Sequence, residues 1–124
     1  MKKKILKEKG EMDYDYGQDI LFFKTKGRAY AKSMELNNIV IDIDSNNCIT
    51  GIQIFEASKF LGLDKKDLMK IPHWSFTANV GEGKIEIRLV FQIQVRNKII
   101  EKNPIIIQTL KEQLPSSELT CTAV

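Results

Sequence analysis

Apolar and polar residues alternate with a period of two along much of this chain, the pattern of strands with one face in a core. The cleanest run is 84–96. Ile85, Ile87, Leu89, Phe91, Ile93 and Val95 fall on one face, and Lys84, Glu86, Arg88, Val90, Gln92, Gln94 and Arg96 on the other. At ~3.3 Å per residue such a strand reaches about 43 Å, so it must bend or overhang its domain. Glu82-Gly83 marks a turn before it. Asn97-Lys98 reads as a turn after it, returning through Ile99 and Ile100.

The segment 36–63 shows the same alternation and then a change of period. Ile39, Ile41 and Ile43 alternate with Val40, Asp42 and Asp44, and Ser45-Asn46-Asn47 supplies turn residues. Cys48 to Phe55 returns as the partner strand, with Gly51 marking a bulge or a close backbone approach. Ser58 can cap a short helix that Gly62 stops, and Asp64 can start a second turn that Pro72 ends. Upstream, Ile20 to Lys24 and, more weakly, Ala29 to Leu36 read as strands. Four sequential strands with short turns predict an antiparallel meander.

Two stretches stay open. Asn103-Pro104 suits a helix start, whereas Ile105-Ile106-Ile107 favours a strand. The adopted reading is a strand through Thr109 and a helical turn to Leu114. The last residues, SSELTCTAV, read as loose. The expected fold class is therefore α+β: an antiparallel β-meander with a short helical segment, followed by a second antiparallel hairpin. Residues 1–11 read as a flexible basic tail, 12–62 as the meander and helix, and 63–124 as a short helix and long hairpin packed with the first half as one domain.

Charge sharpens this division. Residues 1–9 carry net +4, 10–62 carry −3 and 63–124 carry +2, within a total of +3 over 124 residues. A 43% hydrophobic and 28% charged composition is ordinary for a globular domain. The start is basic but lacks the apolar stretch of a secretory signal, and no apolar run reaches the ~18 residues of a membrane span. Cys48 and Cys121 match no metal or redox spacing, so reduced thiols in a cytoplasmic protein are expected.

Candidate chemistry is sparse. Asp13, Asp15, Asp19, Glu35, Asp42, Asp44 and Glu56 all lie in the first half. Asp42 and Asp44 share a strand face, and with Asn46 they echo the first ligand positions of a calcium loop. Asn47 and Gln53 break that pattern where a Gly and a Glu belong. Turn bonding by Asp44 and Asn46 and a solvent-facing Asp42 account for the same residues. His73, alone in the sequence, stands between Pro72 and Trp74 with no nucleophile at a recognised spacing. Gly81-Glu82-Gly83-Lys84 precedes a strand, so no helix start is there to hold phosphate. Trp74 and Phe76 could stack bases if exposed, and Lys84, Arg88 and Arg96 could meet phosphates, although Glu86 interrupts that face. Core packing is the competing role for the two aromatics.

Residues 12–62 resemble the prokaryotic domain-of-unknown-function family two-two-eight-three. The resemblance rests on Tyr14-Asp15, Asp19 with Ile20-Leu21-Phe22, Glu35, Ile41-Asp42-Ile43-Asp44 and Gly51-Ile52-Gln53-Ile54-Phe55-Glu56-Ala57-Ser58. Asn47 and Gln53 depart from the family's usual Gly and Glu. The resemblance implies a small β-meander with a helix and no established activity. The proximity of some members to genes for small toxin-like proteins implies an antitoxin-like or other partner-binding role.

These observations favour a non-enzymatic interaction or regulatory module of unknown function that self-associates. Lys84, Arg88, Gln92, Gln94 and Arg96 are its interaction candidates, with no catalytic residue, cofactor or membrane. The alternatives are a metal-dependent or acid/base enzyme built on Glu35, Asp42, Asp44 and Glu56, and a weak nucleic-acid binder using the lysine tail.

Overall fold

The computed structural model describes residues 4–26, 30–110 and 114–123. The chain runs β1 (Lys4–Asp15), β2 (Ile20–Thr25), β3 (Tyr30–Leu36), β4 (Ile39–Asp44), β5 (Ile49–Phe55), α1 (Ala57–Leu61) and α2 (Lys65–Leu68). It continues through β6 (His73–Gly81), β7 (Lys84–Val95), β8 (Lys98–Lys102), β9 (Ile105–Thr109) and β10 (Ser117–Ala123). All ten strands join one sheet in the order β3-β4-β5-β2-β1-β10-β6-β7-β8, with β9 also on β7.

This is a mostly β fold, not the expected α+β. The helical signals after Phe55 yield only five and four residues of helix. Gly62 ends α1 in a left-handed conformation at φ 67°, as its sequence position predicts. Lys4 to Glu11, read from charge as a flexible tail, form most of β1. Their lysines alternate with Leu6, Glu8 and Gly10, so Lys7 and Lys9 face outward while Gly10 is buried. The presumed loose tail forms β10, with Leu119 and Cys121 buried and Thr120 between them less so. The segment 105–109 is a strand; residues 111–113 of the expected helical turn lie outside the described residues.

The meander also gives way to a different order. β5 pairs with β2 and leaves β3 at the end of the sheet. Burial explains the exchange. β2 has Ile20, Leu21 and Phe23 buried and takes an interior position, whereas most of β3 is exposed and suits an edge. β7 has both edges occupied, by β6 on one side and by β8 and β9 in succession on the other. Pro104 sits at that relay, and its carbonyl accepts the Leu89 N–H at 3.0 Å. The long strand is thus covered by its own chain.

The sheet curls around one apolar cluster that includes Leu21, Phe23, Ile41, Ile52, Phe76, Ile87, Phe91 and Leu119. Its two ends approach each other where the Asn37 Nδ2 donates to Gln108 Oε1 at 3.1 Å. Phe23, Trp74 and Phe76 pack together at 5.1–6.4 Å between ring centroids. Trp74 and Phe76 are therefore core residues. Gly10 makes room for this cluster: a Cβ there would meet the Cys121 sulfur, stand 2.6 Å from the Lys24 carbonyl oxygen and 3.1 Å from the Trp74 ring.

Gly10→Ala should therefore destabilise the protein by about 1–3 kcal/mol, the usual cost of overpacking. Gly17→Ala, whose Cβ would meet nothing nearer than 3.5 Å, should leave the unfolding free energy in urea within about 0.5 kcal/mol of wild type. Equal stability of Gly10→Ala and wild type in urea would show that the cluster is looser than described.

Candidate functional site

Strand registers fix which side chains share the face opposite the core. One lateral row runs Glu11, Lys24, Gly51, Asp42 and Ser33 across β1, β2, β5, β4 and β3. The next runs Asp13, Phe22, Gln53, Val40 and Glu35. Between and beside them lies a cleft of about 690 Å³ lined by Lys24, Thr25, Lys26, Tyr30, Asp42 and Gln53, among others. Two local irregularities bend the sheet there. β4 and β5 shift register between Asp42 and Ile43, leaving Thr50 as the extra residue, and β3 and β4 shift between Tyr30 and Lys32. The Thr50 and Thr25 hydroxyls are buried and share a hydrogen bond of 2.6 Å.

Asp42 is the polar centre of this face. Its Oδ1 accepts from Ser33 Oγ at 2.9 Å and from Gln53 Nε2 at 3.1 Å, and its Oδ2 lies 3.4 Å from the same amide. Gln53 thus serves as a donor to Asp42. Asp44 does different work. Its carboxylate accepts the N–H groups of Asn46 at 2.9 Å and Cys48 at 3.0 Å, which fastens the β4–β5 turn. Asn46 contributes its backbone to that turn, and Asn47 takes φ 61°. Glu35 is exposed on β3, and Glu56 precedes α1 at φ 51°. The structure does not gather these carboxylates: among the described residues no three His, Cys, Asp or Glu side chains group as a metal site requires.

A second polar centre sits where the β1–β2 turn meets α1. Asp19, nearly buried and at φ 57°, accepts from Tyr14 Oη at 2.6 Å, Ser58 Oγ at 2.6 Å and the Ser58 N–H at 3.1 Å. Its backbone carbonyl takes the Ala57 N–H at 3.0 Å. Ser58 is therefore not the N-cap; Glu56 occupies that position, and Asp19 satisfies the helix start from 39 residues away. Burial raises the Asp19 pKa, but the bonds from Ser58 and Tyr14 and the Lys65 charge outweigh it and hold the carboxyl below its ordinary range. Burial, reinforced by the bond to Asp19, drives the Tyr14 phenol the other way, well above its usual value.

The β7 candidates divide. Lys84, Arg88, Gln92 and Gln94 lie along the outward face of β7, opposite Thr109, Ile105, Glu101 and Ile99. Arg96 instead occupies the β7–β8 turn at φ 49°, with Asn97 at φ 66°. Arg88 pairs with Glu86. His73 is exposed at the start of β6, opposite Gln92. Burial, with the nearby Glu8, pushes the Cys121 thiol up to about 11, which makes it a poor nucleophile. The cleft residues Lys24, Thr25, Lys26, Tyr30, Ser33 and Thr50 were not marked by any local motif. Their convergence depends on pairing between distant strands, and Gly51 was the one legible sign of it.

Because the folded state favours the Asp19 carboxylate, its contribution is complete above the ordinary value of about 4 and is lost as pH falls through the lower folded value. Asp19→Asn should cost about 1–3 kcal/mol at pH 7 by removing charge-assisted bonds. The variant should also lose less stability than wild type between pH 5 and acid unfolding, as followed by urea titrations across pH. Parallel acid profiles would refute this assignment.

Residues 11–58 match the model of a family described as "Protein of unknown function (DUF2283)". The chain is similar to a Methanosarcina mazei protein named "Putative hypoxanthine phosphoribosyltransferase", 32% identical over 90 residues that make up 73% of each chain. It is also similar to an uncharacterized protein of Methanocaldococcus jannaschii, 31% identical over 99 residues covering 79% of this chain and 85% of that one. No solved structure matches. Among the described residues no helix is long and apolar enough to cross a membrane. The chain belongs to the DUF2283 family of proteins of unknown function.

Proposed function

We propose that this protein is a non-enzymatic interaction module that self-associates through the outer edge of β8 and β9. The observation that carries the reading is apolar exposure on strands that end a sheet. Ile99 is 73% exposed, Ile107 61% and Ile105 54%. No described strand pairs with the outer edge of β8 or β9. A free edge bearing isoleucines is a template for further strand pairing.

A second copy fits this edge well. Two β9 strands pairing antiparallel about Ile106 would set each Ile105 opposite the Ile107 of the second copy, in one apolar stripe, as an isologous dimer requires. Arg88, Glu86 and Lys84 lie one strand behind, beside Ile105, Ile107 and Thr109, and would form the polar border of that stripe.

The name of the Methanosarcina relative supplies a different reading, phosphoribosyl transfer, which the residues here do not support. Diphosphate recognition draws on glycine-rich loops opening into helices. Gly81 to Lys84 instead makes a hairpin turn, with Glu82 at φ 53° and Gly83 at φ 74°, between β6 and β7.

Sedimentation equilibrium should show a dimer at micromolar concentration, and Ile107→Lys should weaken association at least about tenfold, or 1.4 kcal/mol. The substitution leaves the buried Ile106 face untouched, so its circular dichroism should match wild type. A wild-type monomer at high micromolar concentration would overturn the proposal.

A further inference from the structure

The cleft beside Gly51 shares no residue with the β8–β9 edge and stands independently of the self-association reading. Its volume, about 690 Å³, falls within the range of small-molecule sites. It exists because two register shifts bend neighbouring strands at one level and because the middle of a five-strand row has no side chain. A Cβ on Gly51 would stand 2.8 Å from the Phe23 carbonyl oxygen, 3.1 Å from Asp42 Oδ2 and 3.2 Å from Lys24 Cβ. The hollow is therefore floored by backbone, with Asp42 on one side and Lys24 on the other.

The two sides present opposite chemistry. Asp42 Oδ1 is saturated by Ser33 and Gln53, but Oδ2, among the described residues, receives only the long 3.4 Å approach of the Gln53 amide. Oδ2 thus remains an acceptor directed over Gly51. The Gln53 amide, held by its donation to Asp42, offers its own oxygen as a second acceptor nearby. Two neighbouring acceptors suit two adjacent hydroxyls, and a half-buried carboxylate already bonded twice is well matched to neutral donors. Across the floor, Lys24 is exposed, and Lys26 at the rim is tied to Glu11 only at 3.8 Å between exposed groups. Both ammonium groups are available to an anion. Tyr30, 62% exposed, adds a ring wall against which the C–H face of a small ring can lie.

From this arrangement we infer that the cleft binds a small phosphorylated sugar. A vicinal diol is held by Asp42 and Gln53, and the phosphate by Lys24 and Lys26.

The test is a nitrogen-15 amide titration of the full chain by NMR with ribose 5-phosphate and glucose 6-phosphate, each set against the free sugar and inorganic phosphate. At least one sugar phosphate should shift the amides of Lys24, Gly51, Asp42 and Gln53, with a Kd of about 1 mM or below. The free sugar and phosphate should each bind at least about tenfold more weakly. Lys24→Ala changes an exposed side chain, and Asp42→Asn keeps an oxygen for Ser33. Both should stay folded, and each should weaken binding by about tenfold. Silence of these amides up to about 10 mM of both sugar phosphates would overturn the inference. So would equal binding of phosphate alone, which marks a simple anion site, or affinity unchanged in both variants.

Discussion

One strand makes this protein a single sheet. β10 lies between β1 and β6, parallel to the first and antiparallel to the second. Remove it and the order splits into a β3-β4-β5-β2-β1 sheet and a β6-β7-β8/β9 sheet, each with a new open edge. Its inward residues, Leu119 and Cys121, are fully buried against the same cluster that holds Phe23, Trp74 and Phe76. Gly10 is the complementary requirement on β1, because the Cys121 sulfur, the Lys24 carbonyl and the Trp74 ring converge where its side chain would be. The pairing of residues 4–10 with 117–123 is also highly non-local, so closing it costs more chain entropy than closing any hairpin of the sheet.

That closure organises both proposed surfaces. With β1 fixed by β10, the row from Glu11 through Lys24 and Gly51 to Asp42 and Ser33 acquires a defined geometry, and the bulges beside it make a cleft. With β6 fixed by β10, β7 is held from Lys84 to Gln92 and the relay of β8 and β9 becomes the end of the sheet. The exposed isoleucines gather there, not on β7. Between the two halves, the Asp19 carboxylate anchors α1 to the β1–β2 turn.

The parts of this fold that were legible in the sequence are those whose signal is local. β4 and β7 announce themselves by alternation of large apolar residues, β5 by following the turn and by Gly51, and the turns by Asn47 and Gly83, which tolerate positive φ. β1 and β10 were missed because their inward positions hold Gly10 and Cys121 and their outward positions hold lysines or threonines, so composition outweighed period. The exchange of β3 and β5 as neighbours of β2 was not legible, since short turns favour sequential pairing and only the polarity of β3 hints at an edge. The same limit governed the sites. Asp44 was readable as a turn residue because its bonds reach only to Asn46 and Cys48. The partners of Asp42 and Asp19 lie on other elements, up to 39 residues away, and no spacing rule connects them.

Native-state hydrogen exchange of β10 tests this account most directly. If β10 is the central strand that joins the halves, the amides of Leu119 to Thr122 will exchange as slowly as those of Phe76 to Val80 on β6, both by global unfolding. Exchange of Leu119 to Thr122 at the rate of an unfolded chain, while β6 stays protected, would contradict it.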